Sequence, residues 1–273
     1  MISSCTRLAV LLGDPVEQSL SPAIQNAALR AAGLDAVYLA LRCDGGALPG
    51  LVRGVAEAGG GGNVTVPHKE SAAGLMERKT AALEVTGACN TFWSEGGELC
   101  GDNTDVAGFL GALERELRID PAGARVLLLG AGGAARAVLY GLGQRSVSEV
   151  VVVNRTPARA RRLVTWFDYI PLRTVESLAD LRGESFDLAV NATTLGLRPD
   201  DPLPFGEEVK FGAGFDLVYR PGGTGWIRAM RERGVPAADG TEMLLRQGAA
   251  SFERWWGQEA SLEAMRAALK ERA

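Results

Sequence analysis

Val126-Leu127-Leu128-Leu129-Gly130-Ala131-Gly132-Gly133-Ala134-Ala135 decides the reading of this chain. Its first four residues form an apolar, strand-like run, and a helical pattern through Val138 and Leu139 follows the glycines. Between them G-x-G-x-x-A presents a backbone almost without side chains at the start of a helix. There, unpaired N–H groups and the positive end of the helix dipole hold a pyrophosphate. An ordinary tight βα turn has a similar composition, so the glycines alone are weak evidence; here strand and helix both flank them. The expectation is a Rossmann-type dinucleotide-binding domain, with Gly130, Ala131, Gly132, Gly133 and Ala134 against the cofactor.

The next strand, residues 150–153, selects the cofactor. NAD-binding folds place an acid about 20 residues past the glycine loop, to hold the ribose 2′-hydroxyl. Here the position reads Asn154-Arg155-Thr156-Pro157-Ala158-Arg159. No carboxylate is present to repel a 2′-phosphate, and Arg155, assisted by Arg159, can clamp one with its planar fork. NADP is therefore expected. Arg161 and Arg162 read as a solvated helix face.

Outward from this centre, strand-like and helical runs alternate, which predicts α/β architecture with parallel sheets. Residues 8–12, 37–41 and 64–66 are the first three expected strands; 188–190 and 215–218 continue the later series. Ser21 reads as the N-cap of a helix with Pro22 at its first position, apolar residues Ile24, Ala27, Ala28 and Ala31 at helical spacing, and Gly33 as its stop. Ser94-Glu95-Gly96-Gly97 sits between two short strands as a hairpin turn. Residues 104–117 are an expected helix, and Asp120-Pro121-Ala122-Gly123 after it looks like a domain junction. Residues 241–273 read as helical, with Trp255 and Trp256 returning to the first domain.

Bulk properties bound the function. At 273 residues the chain accommodates two buried cores, and a net charge of −4 argues against a nucleic-acid footprint. Cys5, Cys43, Cys89 and Cys100 show no C-x-x-C spacing and read as reduced thiols of a cytoplasmic chain. His68 is the single histidine, so no metal site is expected. The apolar run at 8–12 is too short for a signal peptide and is closed by Gly13-Asp14-Pro15. No run approaches the roughly 20 apolar residues of a membrane span. The expected partner is a small-molecule substrate, without nucleic acid or membrane, and a homodimer is left open.

Only four of the 29 basic residues are lysines: Lys69, Lys79, Lys210 and Lys270. Lysine can exchange its proton in a tuned environment, and arginine cannot. Lys69 follows Asn63-Val64-Thr65-Val66-Pro67-His68, at the exit of an expected buried strand, and is a candidate for proton chemistry; equally, it could merely start the helix after it. Ser19-Leu20-Ser21, Asn90-Thr91, Asp102-Asn103-Thr104-Asp105 and Gln247 add hydroxyls, amides and a carboxylate at expected strand ends and helix starts. Together they suit a small polyhydroxylated acid.

With these stretches the chain resembles the shikimate dehydrogenase family over nearly its full length. Further matching motifs are Gly13-Asp14-Pro15, Gly87-Ala88-Cys89-Asn90-Thr91, Asn191-Ala192-Thr193-Thr194-Leu195-Gly196, Asp216-Leu217-Val218-Tyr219 and Met243 through Ala249. The resemblance implies a substrate domain of residues 1–104 and 241–273 and an NADP-binding domain of residues 105–240. It implies Lys69 and Asp105 as the catalytic pair, and Ser19 and Ser21 on the substrate carboxylate with Tyr219 nearby. Thr65, Asn90, Asp105 and Gln247 would bind ring hydroxyls. Asn154, Arg155 and Thr156 would recognise the 2′-phosphate, with Thr193 and Gly240 along the nicotinamide half and Leu217 also against the cofactor. The implied reaction is NADP-dependent, reversible reduction of 3-dehydroshikimate to shikimate, in aromatic amino acid biosynthesis. Gln18 and Gln25 stand where the family usually has histidines, and Cys89 where it has valine. Rival readings are a quinate or dual-specificity dehydrogenase, a folate-linked dehydrogenase of similar layout, and a non-catalytic NADP-binding sensor.

Overall fold

The computed structural model describes residues 2–206, 209–220 and 222–271. The chain divides into two compact units, Met1–Gly108 with Leu244–Ala273, and Phe109–Met243. The turn at 120–123 lies inside the second unit, and the division falls earlier, within a helix. The expected helical tail reaches residue 273, whose last two positions lie outside the described residues.

The first unit carries β1 (Arg7–Gly13), β2 (Ala36–Arg42), β3 (Gly61–Val64), β4 (Arg78–Lys79), β5 (Thr91–Glu95) and β6 (Glu98–Asp102). They form one sheet in the order β2-β1-β3-β5-β6-β4. It is mixed rather than parallel: β1 runs parallel to β2 and β3, while β3–β5 and β5–β6 are antiparallel. The β5–β6 hairpin turns through Gly96 and Gly97, both at positive φ.

The third strand was expected at 64–66 and occupies Gly61–Val64 instead. Glycines normally weaken strands, which is why the pattern hid them. Here they are sterically required. A Cβ on Gly61 would stand 2.5 Å from Trp255 Cδ1, and one on Gly62 2.6 Å from Val10 O. Neighbouring strands and the C-terminal helix approach the bare backbone. The core beneath the sheet packs Val10, Leu12, Leu48, Val52, Met76 and Phe92.

Helices of this unit are α1 (Ser21–Ala31), α2 (Leu48–Glu57), α3 (Lys69–Ala73) and α4 (Ala81–Thr86). Ser21 is the first helical residue of α1 rather than its N-cap; Leu20 holds that place without a side-chain hydrogen bond. Ser19 Oγ instead accepts from the Ser21 N–H at 3.2 Å. Ile24, Ala27 and Ala28 are buried, but Ala31 faces solvent and Leu29 is buried in its stead. Gly33 follows the helix at φ 66°.

The expected helix at 104–117 is α5 (Asp105–Ala112) followed by a wider π turn, Leu113–Leu117, that ends on left-handed Arg118.

The second unit is built on β7 (Arg125–Leu129), β8 (Glu149–Val153), β9 (Leu172–Val175), β10 (Ser185–Asn191), β11 (Lys210–Asp216) and β12 (Ala237–Ala238). All pairs are parallel, in the order β12-β11-β10-β7-β8-β9. Counted from β7 this is 3-2-1-4-5-6, the doubly wound dinucleotide-binding order, whose crevice opens where the winding reverses between β7 and β10. The strand expected at 215–218 ends at Asp216, because the chain turns after its carboxylate binds the Val218 N–H. Half-buried β9 and two-residue β12 escaped the pattern for want of an apolar run.

Helices α6 (Gly133–Gly143), α7 (Pro157–Trp166) and α8 (Gly225–Glu232) connect these strands. The last helices are α9 (Thr241–Trp256) and α10 (Leu262–Lys270). Trp255 returns to the first unit's sheet, its indole N–H donating to Phe92 O at 3.1 Å and its ring tilted on Tyr38.

Candidate active site

Lys69 opens α3 and Asp105 opens α5, where the helix dipole favours a carboxylate. Their side chains meet at 2.5 Å, Lys69 Nζ to Asp105 Oδ2. The other carboxylate oxygen, Oδ1, accepts from Asn90 Nδ2 at 2.9 Å. Asn90 sits just before β5, and its Nδ2 also stands 3.4 Å from Gln247 Oε1 on α9. Lysine, carboxylate and two amides from four distant sequence positions thus form one bonded cluster within the first unit.

A second layer, to which the sequence assigned no role, fixes these groups. Asn63 Nδ2 donates to Asn90 O and to Ser251 Oγ, and Tyr38 O–H donates to Asn63 Oδ1 at 2.8 Å. Asn90 Oδ1 accepts from the Thr104 N–H at 2.8 Å, so its amide is oriented with Nδ2 toward Asp105. Ser251 is fully buried and donates to Gln247 O, one turn back on α9. Ser251 carries no sequence signal except its place four residues after Gln247.

Backbone contacts complete the cradle. The Cys89 N–H donates to Lys69 O at 2.8 Å, tying the lysine's backbone to the segment before Asn90. Burial pushes the Cys89 thiol up to about 12, so it packs as a neutral group and donates to Thr91 O. His68 is buried against Cys43 O. Gln25 is buried and donates to Gly248 O, next to Gln247, while Gln18 is exposed. Ser19, Ser21 and Thr65 share this unit without joining the bonded cluster. The Thr65 methyl fills the space a Cβ on Gly13 would need.

The second unit holds the remaining expected residues, Tyr219 among them, half-buried after β11. Gly130 leaves β7 at φ 120°, and a Cβ there would lie 2.8 Å from Ala192 O. Gly132 precedes α6 without any side-chain cap, which leaves the helix's first amides without a side-chain acceptor. Beyond β8, Asn154 Nδ2 donates to Thr156 O and Arg155 is exposed. Thr193 Oγ1 donates to Asn191 Oδ1 at 2.7 Å, and Gly240 lies so close to Leu217 O that no side chain fits. An uncapped helix start, a bare close-packed loop and an exposed arginine past the second strand fit a dinucleotide bearing a 2′-phosphate.

Among the described residues no group of three or more His, Cys, Asp or Glu is placed to hold a metal ion. None of their helices is long and apolar enough to cross a membrane.

Residues 11–92 match the family described as the shikimate dehydrogenase substrate binding domain. Residues 113–195 match the shikimate / quinate 5-dehydrogenase family, and residues 240–270 the shikimate 5′-dehydrogenase C-terminal domain. A shikimate dehydrogenase (NADP(+)) of Rubrobacter xylanophilus is 43% identical, covering 97% of this chain and 95% of the relative. One from Methanopyrus kandleri is 40% identical, covering 97% and 96%. Among solved structures, shikimate 5-dehydrogenase of Thermus thermophilus, in complex with NADP(H) and shikimate, superposes with a TM-score of 0.87. It is 38% identical over 98% of this chain and 100% of the other.

Proposed function

This chain belongs to the shikimate dehydrogenase family, and we propose on that premise that it catalyses the NADP-dependent, reversible reduction of 3-dehydroshikimate to shikimate. The observation that carries the reading is the Lys69–Asp105 pair, with Asn90 and Gln247 bonded beside it. NADPH, when bound, supplies the hydride. As hydride reaches the carbonyl carbon, negative charge gathers on the ketone oxygen. Lys69 stabilises that charge and donates an Nζ proton to the oxygen, leaving a neutral amine that solvent reprotonates; in oxidation the amine accepts the proton. Asp105, held by Asn90, keeps the ammonium in place and accepts from a neighbouring ring hydroxyl. Thr65 and Gln247 take the other hydroxyls, and Ser19 and Ser21 the carboxylate, with Tyr219 near it.

Gly130 to Ala134 would hold the pyrophosphate, and Asn154, Arg155, Thr156 and Arg159 the 2′-phosphate. Thr193, Leu217 and Gly240 would border the nicotinamide half. The proposal extends to a cytoplasmic enzyme assembled as a homodimer, which light scattering on the purified chain tests. Steady-state rates with shikimate and quinate, each with NADP and NAD, test the function. The shikimate–NADP pair should give the highest kcat/KM, and no turnover of shikimate would overturn the reading.

A further inference from the structure

Asp216 ends β11 with no exposed surface, in register with Asn191 at the end of β10. Its carboxylate accepts three hydrogen bonds: from Asn191 Nδ2 at 2.8 Å and the Val218 N–H at 3.1 Å on Oδ1, and from Thr224 O–H at 2.7 Å on Oδ2. Asn191 in turn accepts from Thr193 and donates to Leu195 O. The two segments leaving β10 and β11 are thereby pinned to one buried acid.

Charged neighbours do not neutralise it. Arg198, Arg220 and Arg228 line a cavity of about 210 Å³ beside it, together with Asp201, yet no cation is hydrogen-bonded to Asp216 among the described residues. Arg228 donates to Gly223 O, and the Asp201 carboxylate accepts the Gly196 and Arg198 amides. Asp239, on the segment after β12, adds a like charge. Burial pushes the carboxyl up to about 6, against the pull of the three donors.

The hydrogen bonds alone do not call for a carboxylate. An asparagine here would accept from Asn191 and Val218 on its oxygen and donate to the Thr224 hydroxyl, holding the same segments without a buried charge. An uncompensated carboxylate costs stability and also projects a field through a medium that screens it poorly. The segments it holds are those assigned above to the nicotinamide half.

We propose that the Asp216 carboxylate biases the protein toward the oxidised, cationic nicotinamide ring, as a positioning residue that acts by charge as well as by holding Thr193 and Leu217. The inference rests on the NADP site of the proposed function.

Dissociation constants for NADP+ and NADPH, measured on free enzyme by fluorescence and calorimetry across pH 5–8, test it. Both cofactors carry the 2′-phosphate, so its own titration cancels in their ratio. In the wild type NADP+ should gain at least threefold on NADPH as pH rises through about 6. Asp216→Asn should lower that ratio to the acid value at every pH while its melting curve stays cooperative. An Asp216→Asn ratio equal to the wild type's at pH 8, or a wild-type ratio flat with pH, overturns the charge role. The wild-type pH series decides alone should the variant not fold. Failure of the wild type to bind either cofactor would instead overturn the NADP site itself.

Discussion

Lys69 Nζ and Asp105 Oδ2 stand 2.5 Å apart with their side chains only 16% and 7% exposed. Removing one partner of such a pair leaves the other charge uncompensated. Lys69→Ala should therefore lower kcat about a hundredfold or more with a much smaller change in shikimate KM. Lys69→Arg should be nearly as poor, since guanidinium retains its proton. An arginine variant of near wild-type kcat would remove proton transfer from the role of Lys69.

Arg155 lies exposed past β8, so its loss should leave the fold intact. Arg155→Ala should weaken NADP binding by about 1.5–3 kcal/mol while leaving NAD almost unchanged, because only NADP offers a phosphate to the guanidinium. KM for the two cofactors checks this, and equal losses would assign Arg155 to the fold.

The serine pair trades duties relative to the expectation from sequence. Ser19 Oγ takes the Ser21 amide at the start of α1, and Ser21 caps nothing. Ser19→Ala should cost about 1 kcal/mol of stability, as loss of a helix-start acceptor does, and raise shikimate KM as well. Ser21→Ala should raise KM with a smaller change in Tm. Thermal melts beside steady-state assays separate the two; unchanged KM in both variants would move the carboxylate site elsewhere.

Asp216 makes a stability prediction with a definite sign. Its folded pKa is raised, from 3.8 to about 6, so the folded state binds the proton more tightly than the unfolded chain. The charged group therefore destabilises at neutral pH, by on the order of 2–3 kcal/mol, and that cost fades as pH falls from about 6 to 3.8. Asp216→Asn should unfold at higher denaturant than wild type at pH 7.5, with the gap narrowed to about a third by pH 4.5. A gap independent of pH would show that the carboxyl titrates in the fold as it does in the unfolded chain, with no cost of burial.

The second unit was legible in the sequence because its fold follows from short, local signals. Three buried runs of valine, leucine and alanine and one glycine loop sufficed to place β7, β8 and β10, whereas the run at 215–218 caught only the last two residues of β11. The first unit was less so. Gly61 and Gly62 look like breakers, and what makes them a strand is Trp255, nearly 200 positions later. Lys69, Asp105, Asn90 and Gln247 stood out by residue type at expected element ends. Asn63, Thr91 and Thr104 lie in the stretches that stood out, and only Ser251's stretch is silent; the orienting role of all four exists only through pairings between distant segments. Capping at α1 turned on a one-residue shift that no pattern resolves.

Because Trp255 seats on the bare backbone of β3, and Gln247 and Ser251 reach Asn90 and Asn63 from the same helix, the first unit stays unfinished until α9 has been synthesised. Residues 109–243 form one uninterrupted stretch and can fold as they leave the ribosome. The nascent chain thus acquires its nucleotide-binding half first. The cluster around Lys69 proposed to handle the proton is completed only when α9 arrives, and a message truncated before that helix should yield a protein with the nucleotide-binding half folded and the cluster incomplete.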